Sequence, residues 1–209
     1  MRQDALAKEV LKKFGNFLAR QLYNQRTNQI ESGSLASEDQ IVVQVLAGKT
    51  GEFRKLVERY HQPVFRFARN LIGDEHITQE VFLAAFDHLA SYNAKRASLQ
   101  TWLFTIARNR CLNYLKRTRP VIDGEAIAYT QPASRSGDSA RNEFWARLEQ
   151  ALDGLPLEQK TAFVLAEIEG LPYADIAHIE HTTLGTVKSR IHRAKQRLRA
   201  VMAPTLGEQ

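Results

Sequence analysis

Cations dominate one short stretch near the C-terminus. Residues 184–199 contain six Lys or Arg residues and no acid. The apolar residues among them recur at steps of three and four, the spacing of one face of an α-helix. They are Leu184, Val187, Ile191, Ala194 and Leu198. This stripe predicts an amphipathic helix whose other faces carry the cations, and such faces attract phosphates or other polyanions.

A second, shorter helix is predicted just before this one. Tyr173, Ile176 and Ala177 supply its apolar side. Residues 181–183 are predicted to form a three-residue turn, and Thr182 or Thr183 in that turn can cap the following helix. Two helices joined in this way make a helix-turn-helix with a basic outer face, the arrangement that enters a DNA major groove.

A basic helix has other interpretations. Taken alone, it is more typical of a solvated surface helix, or of a helix that lies on acidic lipid. The short preceding helix and the turn favour DNA. The remainder of the chain has to discriminate between these partners.

The composition narrows the function classes. The chain has 209 residues, enough for one domain or two small ones, and a net charge of +6. Cys111 is the single cysteine, so no internal disulfide can form, and its place on an apolar helical face predicts a core position. His178 and His181 lack further ligands for a zinc site, so we expect no metal and no cofactor. The sequence contains no apolar run of membrane-spanning length and no signal peptide, which predicts a cytoplasmic protein.

No catalytic constellation is present in the sequence. We find no activated nucleophile, no ordered carboxylate pair and no phosphate-cradling glycine loop. We therefore expect a protein that is not an enzyme and has no small-molecule substrate.

Helices are predicted throughout the N-terminal part. A first helix covers residues 1–29, and Ser37 begins the next. The buried face of that second helix is predicted to be Ile41, Val42, Val45 and Leu46. A third helix runs from about residue 52 to 71; Pro63 is predicted to kink it, and Gly73 to end it.

Charge reverses along the next two segments. Residues 74–92 carry four acids and no Lys or Arg, whereas residues 94–120 carry seven basic residues and no acid. The buried face of the acidic helix is predicted to be Ile77, Val81, Phe82, Ala85, Phe86 and Leu89. An acidic surface on one helix and a basic surface on the next indicate two different macromolecular partners.

Residues 120–141 lose helical periodicity and are rich in Ser, Pro and Gly, which predicts a flexible linker. A second helical domain begins beyond it. No stretch alternates at period two, so the predicted fold class is all-α. The predicted organisation is an N-terminal helical extension, a first domain, a linker and a second domain, at 1–36, 37–119, 120–141 and 142–209.

Three motifs in this order resemble the extracytoplasmic-function (ECF) family of bacterial RNA polymerase sigma factors. They are TQEVF at 78–82, TWLFTIARNRCLNYLKR at 101–117 and GTVKSRIHRAKQRL at 185–198. The resemblance implies that the first domain is sigma region 2, which binds core RNA polymerase and the −10 promoter element. It implies that the second domain is region 4, which binds the −35 element as duplex DNA, and that an anti-sigma factor regulates the protein.

The resemblance also implies the residues of each site. Core polymerase would contact Asp74, Glu75, Gln79 and Glu80. The opened −10 strand would contact Asn93, Lys95, Arg96, Trp102, Arg108, Asn109, Lys116 and Arg117. The −35 duplex would contact Thr186, Lys188, Ser189, Arg190, His192, Arg193 and Arg197. In the −35 set, Lys188, Ser189, His192 and Arg193 are predicted to read bases, and the other three to bind phosphates. His76, Asn113 and Lys160 depart from the family, which commonly has an acidic residue, Asp and Arg at these positions.

Two rival functions explain less of the chain. A stand-alone helix-turn-helix regulator that binds duplex DNA accounts for the C-terminal part but not for the acidic and basic helices before it. A membrane-associated or scaffold protein accounts for neither the linker nor the order of the motifs. An alternative sigma factor accounts for all of these features.

Overall fold

A computed structural model describes residues 37–73, 76–118 and 139–206 of the chain; side chains are described within these ranges except at 139–145 and 204–206. Within these ranges the chain forms α-helices, short 3₁₀ and π turns, and loops, with no strand, so the all-α prediction is confirmed. The predictions for residues 1–36, for Asp74 and Glu75, and for residues 120–138 of the linker lie outside the described residues. Residues 139–141, at the predicted end of the linker, are helical.

Eight α-helices lie in the described ranges, and we number them α1 to α8. They are Glu38–Leu46, Phe53–Ile72, Ile77–Asp87, Leu99–Thr118, Ser139–Asp153, Leu157–Phe163, Tyr173–Ile179 and Leu184–Leu206. A π-helical turn, Val164–Ile168, continues α6. The helices pack into two compact units. In the described residues, the first unit contains 37–73, 76–118 and 164–187, and the second contains 139–163 and 188–206.

Local capping chemistry begins α1 where the sequence predicts it. The Ser37 hydroxyl accepts from the Gln40 amide at 3.3 Å, and the Gln40 side chain accepts from the Ser37 amide at 3.1 Å. Two otherwise unpaired backbone donors are thereby satisfied. Glu38 then accepts hydrogen bonds from Arg59 and Tyr60 of α2. Burial, followed by the hydrogen bond to Glu38, raises the pKa of the Tyr60 hydroxyl, so this neutral donor ties α1 to α2.

The ends of α2 also follow from the sequence. Gly73 adopts a left-handed conformation with φ of 73° and its amide donates to Arg69, which ends the helix as predicted. The helix passes through Pro63 and continues to Ile72; the kink at Pro63 stays a prediction.

An aromatic pair occupies the core of the first unit. Phe67 of α2 and Phe104 of α4 are fully buried, with their ring centroids 5.4 Å apart in an edge-to-face arrangement. Cys111 is buried beside this region of α4, and burial raises the pKa of its thiol to about 12. The core position predicted for the cysteine is confirmed.

Two residues of the first unit that were predicted to be buried are exposed instead. Leu46 is 53% exposed and Phe86 is 40% exposed. Leu46 is the last residue of α1, and Phe86 lies one residue from the end of α3. Phe86 packs edge-to-face on Phe53 at 5.1 Å, a contact at the rim that leaves one side of the ring in solvent.

A nearly buried ion pair stabilises the second unit. Lys160 Nζ lies 2.8 Å from Asp153 Oδ1, with side chains 3% and 34% exposed.

We expect Asp153→Asn to lower the free energy of unfolding by about 2–4 kcal/mol, because the buried ammonium loses this counter-ion. Asp87→Asn, at an exposed position of α3, serves as the matched control and should change it by less than about 0.5 kcal/mol. Urea titration followed by circular dichroism measures both; equal losses in the two variants would contradict a stabilising role for the pair.

Candidate nucleic-acid interface

The last helix, α8, turns its apolar stripe inward and exposes three of its six Lys and Arg residues, Lys188, Arg193 and Arg197. Four predicted stripe residues are 6% exposed or less, and Met202 extends the stripe at 0%. The four are Val187, Ile191, Ala194 and Leu198. Leu184 is 44% exposed, so its predicted burial is wrong: as the first residue of α8 it begins the helix on the solvent side.

The residues predicted for −35 DNA all lie on the remaining faces of α8. Lys188, His192, Arg193 and Arg197 are exposed, and Thr186, Ser189 and Arg190 are half-buried. Ser189, His192 and Arg193 stand furthest from the buried stripe by helical spacing, which is where a groove-inserted helix meets base edges.

The turn before α8 is held by its own side chains. The Thr183 hydroxyl accepts from the Thr186 amide at 3.2 Å, so Thr183 caps the helix. His181 has a φ of 51°, a left-handed conformation that turns the chain. Residues 180–183 separate α7 from α8, one more than the three predicted. The helix-turn-helix itself is confirmed.

One cation of α8 is already paired. Arg190 Nη2 lies 2.6 Å from Glu158 Oε2, at the start of α6. The Arg190 side chain is 18% exposed and that of Glu158 is 69% exposed. Spacing along the chain could not predict this contact, because the two residues are 32 positions apart.

The loop between α3 and α4 is an ordered turn. Asn93 Oδ1 accepts from the Lys95 amide at 2.9 Å, and the Asn93 carbonyl accepts from the Arg96 amide at 2.9 Å. The Ser98 hydroxyl accepts from the Thr101 amide at 3.1 Å and caps α4. The side chains of Lys95 and Arg96 are left exposed, so the turn presents two cations on a fixed backbone.

The remaining residues predicted for the −10 strand lie along α4. Trp102 is half-buried and its ring lies 5.6 Å from that of Tyr92, whereas Asn109, Lys116 and Arg117 are exposed and Arg108 is half-buried. At 1.5 Å per residue, Trp102 and Arg117 are roughly 22 Å apart along the helix. The predicted residues therefore lie at the start, in the middle and at the end of α4, so one extended strand could contact all of them but one nucleotide could not.

The acidic helix exposes its predicted polar residues. Gln79 and Glu80 are exposed in the first turn of α3. Leu83 is 66% exposed and lies one turn after Gln79, so it extends the same face; sequence reasoning missed it, although the i+4 spacing indicates it. Glu80 also lines a small pocket with Arg110 and Arg117 of α4, where the acidic and basic surfaces meet.

In the described ranges of the chain, no three His, Cys, Asp or Glu residues are grouped so that they could hold a metal ion. Among the helices in those ranges, none has both the length and the apolar character needed to cross a membrane.

Two family models match the chain in the order predicted. Residues 56–121 match sigma-70 region 2, and residues 145–198 match sigma-70, region 4. The helix-turn-helix in the second match and the acidic and basic helices in the first thus define a protein of the sigma-70 class.

Curated relatives identify the group within that class. The ECF RNA polymerase sigma factor SigE of Mycolicibacterium smegmatis is 35% identical over 164 residues, which cover 74% of this chain and 63%, less than two thirds, of that protein. The ECF RNA polymerase sigma-E factor of Haemophilus influenzae is 33% identical over 187 residues, which cover 81% of this chain and 97% of that protein. The chain belongs to the ECF RNA polymerase sigma factors.

A solved structure agrees with this assignment. The sigma factor RpoE from Bartonella quintana, in complex with the anti-sigma factor NepR, aligns with a TM-score of 0.58 and 26% identity. The alignment covers 73% of this chain and 97% of that one.

Proposed function

We propose that this chain is an alternative sigma factor that binds core RNA polymerase, recognises −35 and −10 promoter elements, and promotes strand opening. The observation that carries the proposal is the exposed basic face of α8, which lies in a region 4 match and follows a region 2 match with an acidic and a basic helix. The polymerase carries out the chemistry, and the chain contributes binding and positioning. Its place of action is the cytoplasm, where the polymerase and the promoters are.

The work is divided between two domains. Residues 37–119 act on core polymerase and the −10 element, residues 142–209 act on the −35 element, and residues 120–141 link them. Residues 1–36 form an extension outside this plan. The two family matches, residues 56–121 and 145–198, support this division, and residues 164–187 are assigned to the second domain because they belong to the region 4 match, although they pack with the first unit.

Strand opening is assigned to the turn before α4 and to α4 itself. Unstacking a base costs a few kcal/mol, which contacts to the exposed base and its backbone have to offset. Asn93 supplies a hydrogen-bond donor for a captured base, and Lys95 and Arg96 supply cations for the backbone beside it. Trp102 adds a ring beside them, and the cations along α4 hold the backbone. They are Arg108, Lys116 and Arg117, with the polar Asn109 among them.

The contact with core polymerase is assigned to the acidic face of α3. It is made by Gln79 and Glu80, together with Asp74 and Glu75, which precede them in the chain. A protein of the anti-sigma class is the proposed regulator. Support comes from the Bartonella relative, whose structure contains the anti-sigma factor NepR. Such a regulator would act by covering these same surfaces.

Base-reading and phosphate-binding residues of α8 should differ in a measurable way. Exchanging Ser189, His192 or Arg193 is expected to change which −35 sequences are preferred, at about 1–3 kcal/mol per lost base contact. Exchanging Arg197 is expected to weaken binding evenly over all sequences and to reduce its salt dependence. Binding to a panel of −35 sequences at several salt concentrations checks this, and identical behaviour of all four variants would contradict the division.

Run-off transcription with purified core polymerase, combined with a footprint of melted DNA, tests the proposed function as a whole. A sigma factor opens promoter DNA only together with core polymerase. Duplex binding without core polymerase, and no opening with it, would favour the stand-alone regulator instead.

A further inference from the structure

The contact between Arg190 and Glu158 differs from the other ion pairs between distant segments. In the pair of Lys160 and Asp153 the cation is nearly buried, in the pair of Arg66 and Glu169 the acid is 1% exposed, and in the pair of Arg59 and Glu38 the side chains are 28% and 29% exposed. Glu158, by contrast, is 69% exposed. Exposed ion pairs add little to stability, so stability alone gives a weak reason for an acid at this position.

The position of Glu158 matters because of what surrounds it. It is an acid in the first turn of α6 that contacts the helix proposed to enter the DNA groove. Lys188, His192 and Arg193 on that helix are exposed and therefore accessible to DNA. The carboxylate of Glu158 thus brings a negative charge to a surface that binds phosphates.

A carboxylate and a phosphate bind the same hydrogen-bond donors of an arginine. Each offers oxygens to the planar guanidinium, so the two compete for the same N–H donors. Glu158 holds Arg190 with an oxygen at 2.6 Å, the distance of a charge-assisted hydrogen bond. A DNA phosphate that binds Arg190 has to displace this oxygen or approach against its charge.

We infer that Glu158 is an intramolecular counter-ion for the −35 surface: it occupies Arg190 in place of a DNA phosphate and lowers the affinity of region 4 for DNA of any sequence. Base contacts from other residues of α8 are unaffected, so sequence preference remains while sequence-independent binding is held down. The inference rests on the proposed function, because it requires α8 to bind DNA.

The expected size follows from counter-ion release. One more phosphate neutralised by the protein steepens the plot of log affinity against log salt by about 0.9. Between about 50 and 200 mM salt this amounts to a roughly threefold change in relative affinity. Removing the charge of Glu158 should therefore tighten binding about threefold more at the lower salt concentration than at the higher one.

The experiment measures promoter binding by the full chain in complex with core polymerase. The DNA carries either a −35 sequence that the wild-type complex selects from a randomised library, or a scrambled −35 sequence. Glu158→Gln is compared with Glu149→Gln, which removes the same charge at an exposed position of α5. Arg190→Gln and the double variant complete a cycle, and thermal unfolding of each variant checks that it is folded.

We expect Glu158→Gln to tighten binding to both DNAs by the same factor and to steepen the salt dependence, whereas Glu149→Gln does neither. In the Arg190→Gln background the effect of Glu158→Gln should disappear. Equal behaviour of the Glu158 and Glu149 variants would overturn the inference, and so would weaker binding by Glu158→Gln, which would make Glu158 a support for Arg190. If selection by the wild-type complex enriches no −35 sequence from the library, the proposed function of α8 fails first, and this separates the two failures.

Discussion

Replacing Gln79 and Glu80 together with alanine is expected to weaken binding to core RNA polymerase by at least roughly 30-fold. Both side chains are exposed on the first turn of α3. Removing one partner of a charge pair that becomes buried in an interface typically costs 2–5 kcal/mol, because the partner's charge stays buried without compensation. The loss should be measured as a shift in a titration of fluorescently labelled chain with core polymerase.

The position of Glu80 calls for a control of its own. Because Glu80 shares a pocket with Arg110 and Arg117, its loss also changes the charge beside the proposed −10 surface. Glu58→Ala, at an exposed position of α2 that pairs across one helical turn with Arg54, removes an equal charge from a helix to which neither contact is assigned. Core affinity should fall for the double variant and stay within about twofold for Glu58→Ala, as expected for an exposed pair. An unchanged core affinity in a folded double variant would rule out this face of α3 as the polymerase contact.

Local determinants made the helix ends and the exposed face of the candidate site predictable. Ser37, Gly73 and Thr183 each act within one turn of the chain through a hydrogen bond or a backbone angle. The buried side of α8 follows from spacing alone, and this fixes which residues are left for the proposed contact with DNA. Spacing does not report what lies opposite a helix, however. The prediction of burial from spacing is therefore wrong near the helix ends, where Leu46, Phe86 and Leu184 continue the apolar pattern beyond the core.

Contacts between distant residues were beyond prediction. Arg66 and Glu169 are 103 positions apart and form two hydrogen bonds, at 3.2 and 2.8 Å. Burial raises the pKa of the Glu169 carboxyl to about 7, although Arg66 acts in the opposite direction. Nothing in the sequence selects this acid among 23 for that arginine. The same holds for Glu158, whose contact with Arg190 changes how one predicted phosphate ligand is expected to behave.

Exchanging residues 93–97 for the corresponding loop of another ECF sigma factor is expected to change the preferred −10 base while the −35 preference stays the same. A base taken out of the stack exposes its pairing edge, so side chains of a loop can specify it. Hydrogen bonds within the turn already hold its backbone. Asn93 Oδ1 accepts from the Lys95 backbone amide, and the side-chain NH2 group of Asn93 is left as the donor for a base. A changed set of contacts should shift base preference about tenfold, the lower part of the 1–3 kcal/mol range for specific base contacts.

Transcription from a promoter library randomised only in the −10 element measures the shift. The matched control is Lys95→Ala with Arg96→Ala, which removes the two exposed cations and keeps Asn93 and the turn. This variant should open all promoters less well, and more so at high salt, without a change of preferred base, because cations hold the backbone and not the base edge. A chimera that binds core polymerase and is active, yet selects the same −10 base as the wild type, would show that the turn only connects α3 to α4. Base selection would then have to come from α4 itself, whose exposed Asn109 is the next residue to exchange.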